Sequence, residues 1–391
     1  MTMSGEGTET AAGIDLSPDA RQGVELIGMI GVQPETRMPG ARTGVIGGSV
    51  DPQYLRRFAQ AHEESGFDTV LIGYASTAAE GFTVAGYAAA ATERLRFLIA
   101  HRPGFVAPTL AARTAATLDH LTGGRIALHI ISGGNDAEQQ RDGDWLDHDA
   151  RYRRTDEYLD VVRRVWTSDK PFDYEGEFYR VCNAFSDVKP LQQPYVPLYF
   201  GGASEAAVAA GAKHCDVYAF WGEPVAAVKE RIAAVRIAAR PYGRSPRFSV
   251  SVRPILGATE AEAWERAHTI LAQVQTSSPS TPIARQPKAV GSQRLLAFAA
   301  QSDVHDKRLW MPIASATGAA GNTSALVGTP EQVCEALLAY YDAGVSTLLI
   351  RGFNPLQDAM EYGRELIPLV RAQVARRMEQ DRTKFPALSR K

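Results

Sequence analysis

The sequence predicts a closed barrel of eight parallel β-strands surrounded by α-helices, the (β/α)8 TIM barrel, with insertions. Two observations predict it. Short apolar runs rich in β-branched residues alternate with longer amphipathic segments, and the runs count to eight. No Gly-x-Gly-x-x-Gly turn follows the first run, as an open dinucleotide-binding sheet would require. A barrel needs about 250 residues, and the chain has 391, which leaves room for long loops.

Each predicted strand is a short apolar run, as expected for parallel strands that are buried on both faces. These runs lie at 24–32, 69–72, 95–100, 126–131, 197–200, 217–220, 247–256 and 347–351.

Helices are predicted where apolar residues recur at helical spacing between the strands. Gly66 ends the first helix as a C′ glycine, and Pro108 and Gly123 bracket the third. The helices lie at 52–65, 83–92, 108–121, 151–168, 204–211, 224–239, 259–274, 330–343 and 356–376. A small hairpin is predicted at 172–180.

The barrel is expected to form one domain over residues 23–378. Residues 1–22 are polar and lack the apolar core of a signal peptide, so a disordered tail is expected there. Residues 379–391 are expected to form a second tail. Residues from about 276 to 325 break the alternation and contain several glycines, which favours a mobile insertion with a helix near 293–300.

Composition excludes several classes of partner. The formal net charge is -2, which gives no electrostatic reason to expect nucleic acid or an anionic membrane. No apolar run is long enough to span a bilayer. The three cysteines lie far apart without metal-ligand spacing, which favours reduced thiols and a cytoplasmic location.

In a barrel of this kind the site lies where the strands end. The strand-end residues with chemistry to offer are Tyr74, Arg102, His129, Ser204, Trp221, Arg253 and Phe353. The turn Gly202, Ala203, Ser204 opens a helix, where backbone N–H groups and the serine hydroxyl can hold an anion. A tight turn with a serine N-cap is the alternative. Arg102 and Arg253 could either pair with carboxylates or face an anionic ligand.

The run DGDWLDHDARY at 142–152 also carries polar chemistry. A metal site here would need several of these side chains to converge on one ion, but the adjacent Asp147, His148 and Asp149 cannot all point one way. We therefore expect a loop whose Asp149 caps the next helix.

Several blocks together carry a resemblance. They are HIISGGNDAE at 129–138, DGDWLDHDARY at 142–152, LQQPYVPLYFGGASEAA at 191–207, YAFWGEP at 218–224, RPGFVAPTLAARTAATLDHLTGGR at 102–125 and SALVGTPEQV at 324–333. The chain resembles the bacterial-luciferase-like flavin monooxygenase family over about residues 24–372, and within it the FMNH2-dependent alkanesulfonate monooxygenases.

The resemblance implies a two-component enzyme that takes FMN, as FMNH2, from a separate NAD(P)H-dependent flavin reductase and uses O2 as co-substrate. Relatives are homodimers or homotetramers. The implied flavin contacts are Ile72 and Gly73 beside the ring, His129 where relatives often have Asn, and Glu138. Arg151, Tyr152, Gly202, Ala203 and Ser204 would hold the phosphate end.

The substrate side departs from the sulfonate-cleaving pattern. Ala78 stands in place of a Cys, Ser251 and Arg253 in place of an Arg and a His, and Phe353 and Pro355 in place of a Tyr and a His. We expect Trp221, Phe353 and Tyr74 to form an apolar wall and Arg253 to orient the substrate. A small organic substrate, including a sulfonate or another sulfur compound, is expected. An F420-dependent hydride-transfer enzyme and a non-catalytic flavin-binding protein remain alternatives.

Overall fold

The computed structural model describes residues 23–33, 46–277, 287–319 and 321–384. The strands in this part of the chain are β1 (Glu25–Ile30), β2 (Thr69–Ile72), β3 (Arg96–His101), β4 (Ile126–Ile130), β5 (Phe172–Glu175), β6 (Arg180–Ala184), β7 (Leu198–Gly201), β8 (Val217–Trp221), β9 (Arg247–Leu256), β10 (Val304–His305), β11 (Leu309–Trp310), β12 (Ala325–Gly328) and β13 (Thr347–Ile350).

The helices are α1 (Pro52–Glu64), α2 (Gly81–Ala89), α3 (Pro108–Thr122), α4 (Asp136–Arg141), α5 (His148–Thr167), α6 (Glu205–His214), α7 (Val225–Ala239), α8 (Glu260–Ser277), α9 (Val290–Gln301), α10 (Pro312–Ala316), α11 (Pro330–Asp342), α12 (Pro355–Glu365) and α13 (Ile367–Lys384).

Eight of these strands close into a parallel barrel. Their order around the ring is β1, β2, β3, β4, β7, β8, β9 and β13, and β13 returns to β1. Closure depends on β9, which pairs with β8 on one side and with β13 on the other. All eight predicted strands are present and the predicted (β/α)8 barrel is confirmed.

The barrel interior is filled from alternate strand positions. The interior cluster contains Ile27, Leu98, Ala127, Tyr199 and Val217. The intervening positions, such as Leu26, Val70 and Phe97, pack against the outer helices in the main core. This alternation is the two-residue period of a strand, and it makes the barrel a packed core rather than a pore.

Helix ends mostly follow the predicted signals. Gly66 and Gly123 take left-handed φ angles of +81° and +67° after α1 and α3. The exception is α5, where the prediction that Asp149 is the cap is wrong. Asp147 adopts the extended conformation and its side chain accepts from the Ala150 backbone N–H, so the helix begins at His148. Asp149 instead lies in the first turn, where a carboxylate complements the helix dipole.

The last predicted helix is two helices. Pro368 lies in the first turn of α13, where it has no N–H to donate to the preceding turn. The chain therefore breaks at Leu366 between α12 and α13. Helix α13 continues to Lys384 and so extends into the predicted C-terminal tail. The predicted tail at 1–22 lies outside the described residues.

The insertion adds a small sheet and two helices to the barrel. β12 pairs in parallel with Arg253–Leu256, the upper half of β9, and β11 and β10 follow in antiparallel order. The predicted helix near 293–300 is α9. The predicted hairpin is formed by β5 and β6. Residues 278–286 and 320 of the insertion lie outside the described residues, and the mobility of the insertion stays a prediction. No helix in the described ranges is long and apolar enough to cross a membrane.

Glu25 closes the lower end of the barrel, and its replacement is expected to be costly. Its carboxylate accepts from the hydroxyls of Thr69 (2.7 Å), Tyr199 (2.7 Å) and Thr347 (3.3 Å). Glu25→Ala leaves these hydroxyls without their shared acceptor, and we expect the free energy of unfolding to fall by roughly 3 kcal/mol in urea denaturation. The exposed Glu64→Ala on α1 is the control, with an expected change under about 0.5 kcal/mol. Equal effects of the two variants would contradict this role for Glu25.

Candidate functional site

The upper mouth of the barrel brings together residues from every side of the ring, because parallel strands all end at the same face. Within the described residues, the turns after β2, β3, β7 and β13 and the upper parts of β4, β8 and β9 carry polar or aromatic side chains to this face. They are Tyr74, Arg102, His129, Ser204, Trp221, Arg253, Arg351 and Phe353.

The turn between β7 and α6 has the geometry of an anion seat. Gly202 has a φ of +150°, and a Cβ at this position would lie 2.5 Å from the Cβ of Ala207. The turn is therefore tight enough to require glycine. Ser204 is the N-cap of α6, and its hydroxyl accepts from the Ala207 backbone N–H at 3.2 Å. The serine N-cap, which was the alternative to an anion seat, is thus present, and the anion seat stays a prediction. The positive end of the α6 dipole faces the turn.

Tyr152 on α5 reaches the same turn. Its hydroxyl lies near the Ser204 side chain, and a Cβ at Gly202 would lie 3.3 Å from the tyrosine hydroxyl. Burial raises the pKa of Tyr152, so the phenol stays protonated at neutral pH. The structure thus brings together Tyr152 and the turn Gly202, Ala203, Ser204, which the sequence placed at one end of a ligand.

Arg151, next to Tyr152 on α5, is buried and is already engaged. Its guanidinium donates to the Leu146 carbonyl at 2.6 Å and to the Asp136 carboxylate at 2.9 Å. Its Nε has no hydrogen-bond partner within the described part of the chain. Asp136 also accepts from the ammonium of Lys288, in the insertion, at 2.9 Å. A direct role for Arg151 in holding an anion stays a prediction.

A second polar group lies above β2 and β3. The Arg102 guanidinium stacks 4.3 Å from the centre of the Tyr74 ring and lies 3.4 Å from the Glu138 carboxylate. Tyr74 donates to Asp142 at 2.7 Å, and Glu138 also accepts from the Ser76 backbone N–H at 3.2 Å. Arg102 is thus paired with a carboxylate, which is one of the two roles that the sequence left open for it. Its Nε and Nη1 nevertheless are buried without a partner among the described residues.

The strand end beneath this group is apolar and crowded. Ile72 is buried, and Gly73 is closely approached by the side chains of Ile46 and Met29, with the Met29 methyl 2.9 Å from where a Cβ would lie. Burial and the hydrogen bond to Asp142 raise the pKa of Tyr74, so its hydroxyl keeps its proton. The apolar strand end can line a flat ring, and the paired charges of Arg102 and Glu138 lie above it.

His129 lies on β4, between the two polar groups. Its Nδ1 is buried and has no hydrogen-bond partner among the described residues. Burial lowers the pKa of His129 to about 4, so the ring is neutral at pH 7. Gly201 on the neighbouring strand leaves space beside it, since a Cβ there would lie 3.4 Å from the imidazole Cε1. A ligand atom is the natural partner for a buried ring nitrogen left in this state.

The insertion covers the mouth above β8. Gly291 of α9 lies against Trp221, because a Cβ at Gly291 would be 3.1 Å from the indole ring. Two residues after Trp221, the buried Glu223 accepts from Arg294 of α9 at 2.5 and 2.8 Å and from Arg231 of α7 at 3.1 Å. This shared carboxylate fastens α9 to the barrel beside the indole.

Arg253 and Phe353 pack together on the far side of the mouth. Arg253 is 1% exposed and donates to the carbonyls of Asn322 (2.9 Å) and Gly352 (3.0 Å). Its guanidinium lies 4.6 Å from the centre of the Phe353 ring. Phe353 belongs to an apolar cluster between the insertion and α8 that includes Trp310. The expected wall of Trp221, Phe353 and Tyr74, and the expected substrate contact by Arg253, stay predictions.

Three residues of this mouth had no role assigned from the sequence. Arg351 follows β13 as Arg102 follows β3, so the strand-end rule selects its position without indicating a function. Asp142 and Glu223 are held by hydrogen bonds to residues far away in sequence, 68 positions in the case of Asp142 and Tyr74. No local pattern signals such pairs.

A separate group of potential metal ligands lies away from the mouth, between α5 and α6. Asp156, Asp160 and His214 have ligand atoms within 4.8 Å of one another. The ammonium of Lys213 bonds both carboxylates, at 2.8 and 2.9 Å. Lys213 already supplies the positive charge that these two carboxylates share.

Comparison with known proteins places this geometry among related barrels. A family model described as luciferase-like monooxygenase matches residues 33–347. Riboflavin lyase, crystallised with modified FMN and riboflavin, has a TM-score of 0.72 and 18% identity over 90% of this chain and 92% of the other. EDTA monooxygenase from Chelativorans sp. BNC1 has a TM-score of 0.70 and 18% identity, over 90% of this chain and 94% of the other. An F420-dependent secondary alcohol dehydrogenase, in complex with an F420–acetone adduct, has a TM-score of 0.65 and 18% identity, over 89% of this chain and 99% of the other.

Buried histidines predict a loss of stability in acid. Burial lowers the pKa of His62, His101 and His129 to about 4 in the folded chain. The unfolded chain binds protons near the ordinary value of 6.5, so the free energy of unfolding should fall as the pH drops from 6.5 to 4. We expect His129→Asn to reduce this loss by up to about 3 kcal/mol, measured by urea denaturation at pH 7 and pH 4.5. An unchanged pH dependence would contradict the burial of a neutral His129.

Proposed function

Because the chain belongs to the luciferase-like monooxygenase family, whose model matches residues 33–347, we propose that it is the oxygenase component of a two-component monooxygenase. It takes reduced FMN and O2 and inserts one oxygen atom into a small organic substrate. The observation that carries the proposal is the seat formed by Gly202, Ser204 and Tyr152, which fits the phosphate of FMN.

The phosphate seat is supported by three independent features of one turn. The glycine lets the backbone approach the ligand, α6 contributes free N–H groups at its positive end, and the hydroxyls of Ser204 and Tyr152 add hydrogen bonds. A riboflavin phosphate is a dianion with several acceptor oxygens at neutral pH, which is the chemistry that this turn offers to satisfy.

The proposed position of the flavin ring is supported by buried nitrogen atoms that lack hydrogen-bond partners among the described residues. Arg102 Nε and Nη1 and His129 Nδ1 are buried polar atoms without partners among the described residues. The isoalloxazine ring carries carbonyl and ring nitrogen atoms along one edge and is apolar on its faces. Ile72, Gly73 and the neutral His129 would line the ring, and Arg102 and Glu138 would lie at its polar edge.

When bound, the reduced flavin supplies the electrons with which O2 is activated. The chain's own residues bind, orient and shield. Trp221 and α9 exclude water above β8, where leakage would waste the reductant. Tyr74 stays protonated and donates a hydrogen bond to Asp142, so its phenol adds no charge to this edge of the mouth. Arg253 is held rigidly by two carbonyls and adds positive potential at the far side.

The proposal includes the finer points that the resemblance implies. An NAD(P)H-dependent flavin reductase would supply FMNH2, the chain would work in the cytoplasm as a homodimer or homotetramer, and a sulfonate or another sulfur compound would be one substrate class. Co-purification with a reductase, and the mass of the assembly in solution, test the first two.

An F420-dependent enzyme is the second candidate, because the F420-dependent secondary alcohol dehydrogenase shares the fold over 89% of this chain. Anaerobic calorimetry with FMNH2 and with reduced F420 separates the two. The monooxygenase requires tighter binding of FMNH2 and oxygen uptake that depends on it. Tighter binding of F420 favours the hydride-transfer enzyme, and FMN binding without oxygen uptake favours a non-catalytic flavoprotein.

Removal of the seat hydroxyls should weaken flavin binding. We expect Ser204→Ala and Tyr152→Phe each to raise the Kd for FMNH2 about tenfold, because each removes a hydrogen bond to a charged group. Riboflavin, which lacks the phosphate, should bind both variants and the parent chain equally. Thr329→Ala removes the cap of α11 and serves as the matched control for helix destabilisation. The seat is wrong if FMNH2 affinity is the same in all four proteins.

Loosening α9 should expose the flavin to solvent. Arg294→Ala removes one of the two arginines on Glu223 and leaves the carboxylate paired with Arg231. We expect several-fold faster release of hydrogen peroxide from the FMNH2-loaded protein in air, because water reaches the mouth. Lys307→Ala breaks an exposed ion pair with Glu335, also between the insertion and the barrel layer, and should not change peroxide release. Equal release from both variants would show that α9 does not shield the site.

A further inference from the structure

The arginine that follows β13 has unusual partners. Arg351 is half-buried at the barrel mouth, where its backbone N–H faces the Val252 carbonyl of β9. Its guanidinium donates to the sulfur of Met29 at 3.1 Å and to the carbonyl of Asn322 at 3.3 Å. Neither partner carries a charge, and within the described residues no carboxylate pairs with this side chain.

Four other arginines around this face lie beside carboxylates. Arg102 lies beside Glu138, Arg151 bonds Asp136, and Arg231 and Arg294 share Glu223. An arginine withdrawn from water without a counter-ion is costly to the fold. Burial lowers the pKa of Arg351 to about 10, which still leaves it charged at neutral pH. Arg351 therefore stays charged without a carboxylate partner among the described residues.

The surroundings of Arg351 suit a small organic anion. Met29 is an apolar neighbour. Arg253 lies close to Arg351, and the positive charge of Arg351 adds to burial in lowering the pKa of Arg253. On the other side the insertion approaches, since a Cβ at Gly321 would lie 4.0 Å from Arg351 Nη2. The phosphate seat on β7 is separated from β13 by β8 and β9 in the ring of strands, so the two positive positions are distinct.

We propose that Arg351 binds the anionic head group of the substrate, a carboxylate or a sulfonate, and that the substrate of this barrel is a small organic anion. The role as a substrate contact depends on the proposed monooxygenase function, whereas the anion site itself does not. The fork of guanidinium N–H groups would replace its weak bond to sulfur with charge-assisted bonds to two oxygens of the head group. Arg351 is thus a specificity-determining residue.

Binding of matched probes tests the proposal directly. Hexane-1-sulfonate, hexanoate and hexan-1-ol have the same chain and differ in the head group. We expect calorimetry at constant ionic strength, with and without saturating FMN, to show about tenfold or tighter binding of the two anions than of the alcohol. Arg351→Gln should abolish this preference, and Arg351→Lys should keep part of it. FMN affinity should be the same in all of these proteins.

The control variant is Arg371→Gln on α13, which changes the net charge equally but breaks a surface pair with Asp68. It should leave the preference for anions intact. Loss of the preference in this variant, equal binding of alcohol and anions by the parent chain, or an unchanged Arg351→Gln would overturn the proposal. Inorganic sulfate that competes as well as hexane-1-sulfonate would overturn the organic substrate and indicate a site for free anions.

Thermal stability separates a binding arginine from a structural one. Without ligand, Arg351→Gln should leave Tm unchanged or raise it, because it removes an uncompensated charge. Arg266→Gln, which breaks pairs with Asp358 and Glu361, should lower Tm. A drop in Arg351→Gln as large as in Arg266→Gln would assign Arg351 to the fold. Failure to bind FMN while the anion preference persists would defeat only the monooxygenase function.

Discussion

The pairing of β9 with both β8 and β13 is the constraint on which the molecule depends. It closes the ring, and closure forces all eight strands to end around one mouth. β9 is also the longest strand among the described residues, with ten residues against four to six for the other barrel strands. Its lower part completes the barrel, and its upper part, from Arg253, continues into the sheet of the insertion through β12. One strand therefore carries both the scaffold and the cover of the site.

Charge is distributed around this mouth with a clear order. Near β2, β3 and β4, each buried arginine has a carboxylate beside it and the histidine is neutral, so this side presents donors without a strong net field. Beside β9 and β13, the guanidinium of Arg351 meets only carbonyl and sulfur atoms among the described residues. A flat polar ring suits the first side, and a compact negative group suits the second. The two halves of the mouth thus favour two different ligands at once.

The fold was predictable because its signals are local. Parallel strands buried on both faces give apolar runs such as TLLI at 347–350, and glycine and proline mark the ends of the helices. The two-residue strands β10 and β11 carry no such run, so the sheet of the insertion was not predicted. The single helix expected at 356–376 ignored Pro368, whose missing N–H breaks it. Asp147 and Asp149 are both good caps by residue type, and only backbone geometry chooses between them.

The site was predictable where chemistry and backbone coincide. Ser204 caps a helix after a glycine turn, so one short motif contains the turn of the proposed phosphate seat. Tyr152 joined it only through the resemblance, since α5 and the β7 turn are far apart in sequence. Partners such as Asp142 for Tyr74, or Glu223 for Arg294, follow from the folded arrangement alone. Whether an arginine stabilises the fold or contacts a ligand likewise depends on neighbours in space that the sequence does not reveal.

The two ion pairs that join the insertion to the barrel, Lys288–Asp136 and Arg294–Glu223, differ in their exposure to solvent. Lys288 is 82% exposed where it meets Asp136, whereas Glu223, which holds Arg294, is 1% exposed. Dissolved ions screen the first contact far more than the second. Raised ionic strength should therefore weaken the contact over Asp136 before it weakens the buried contact beside Trp221.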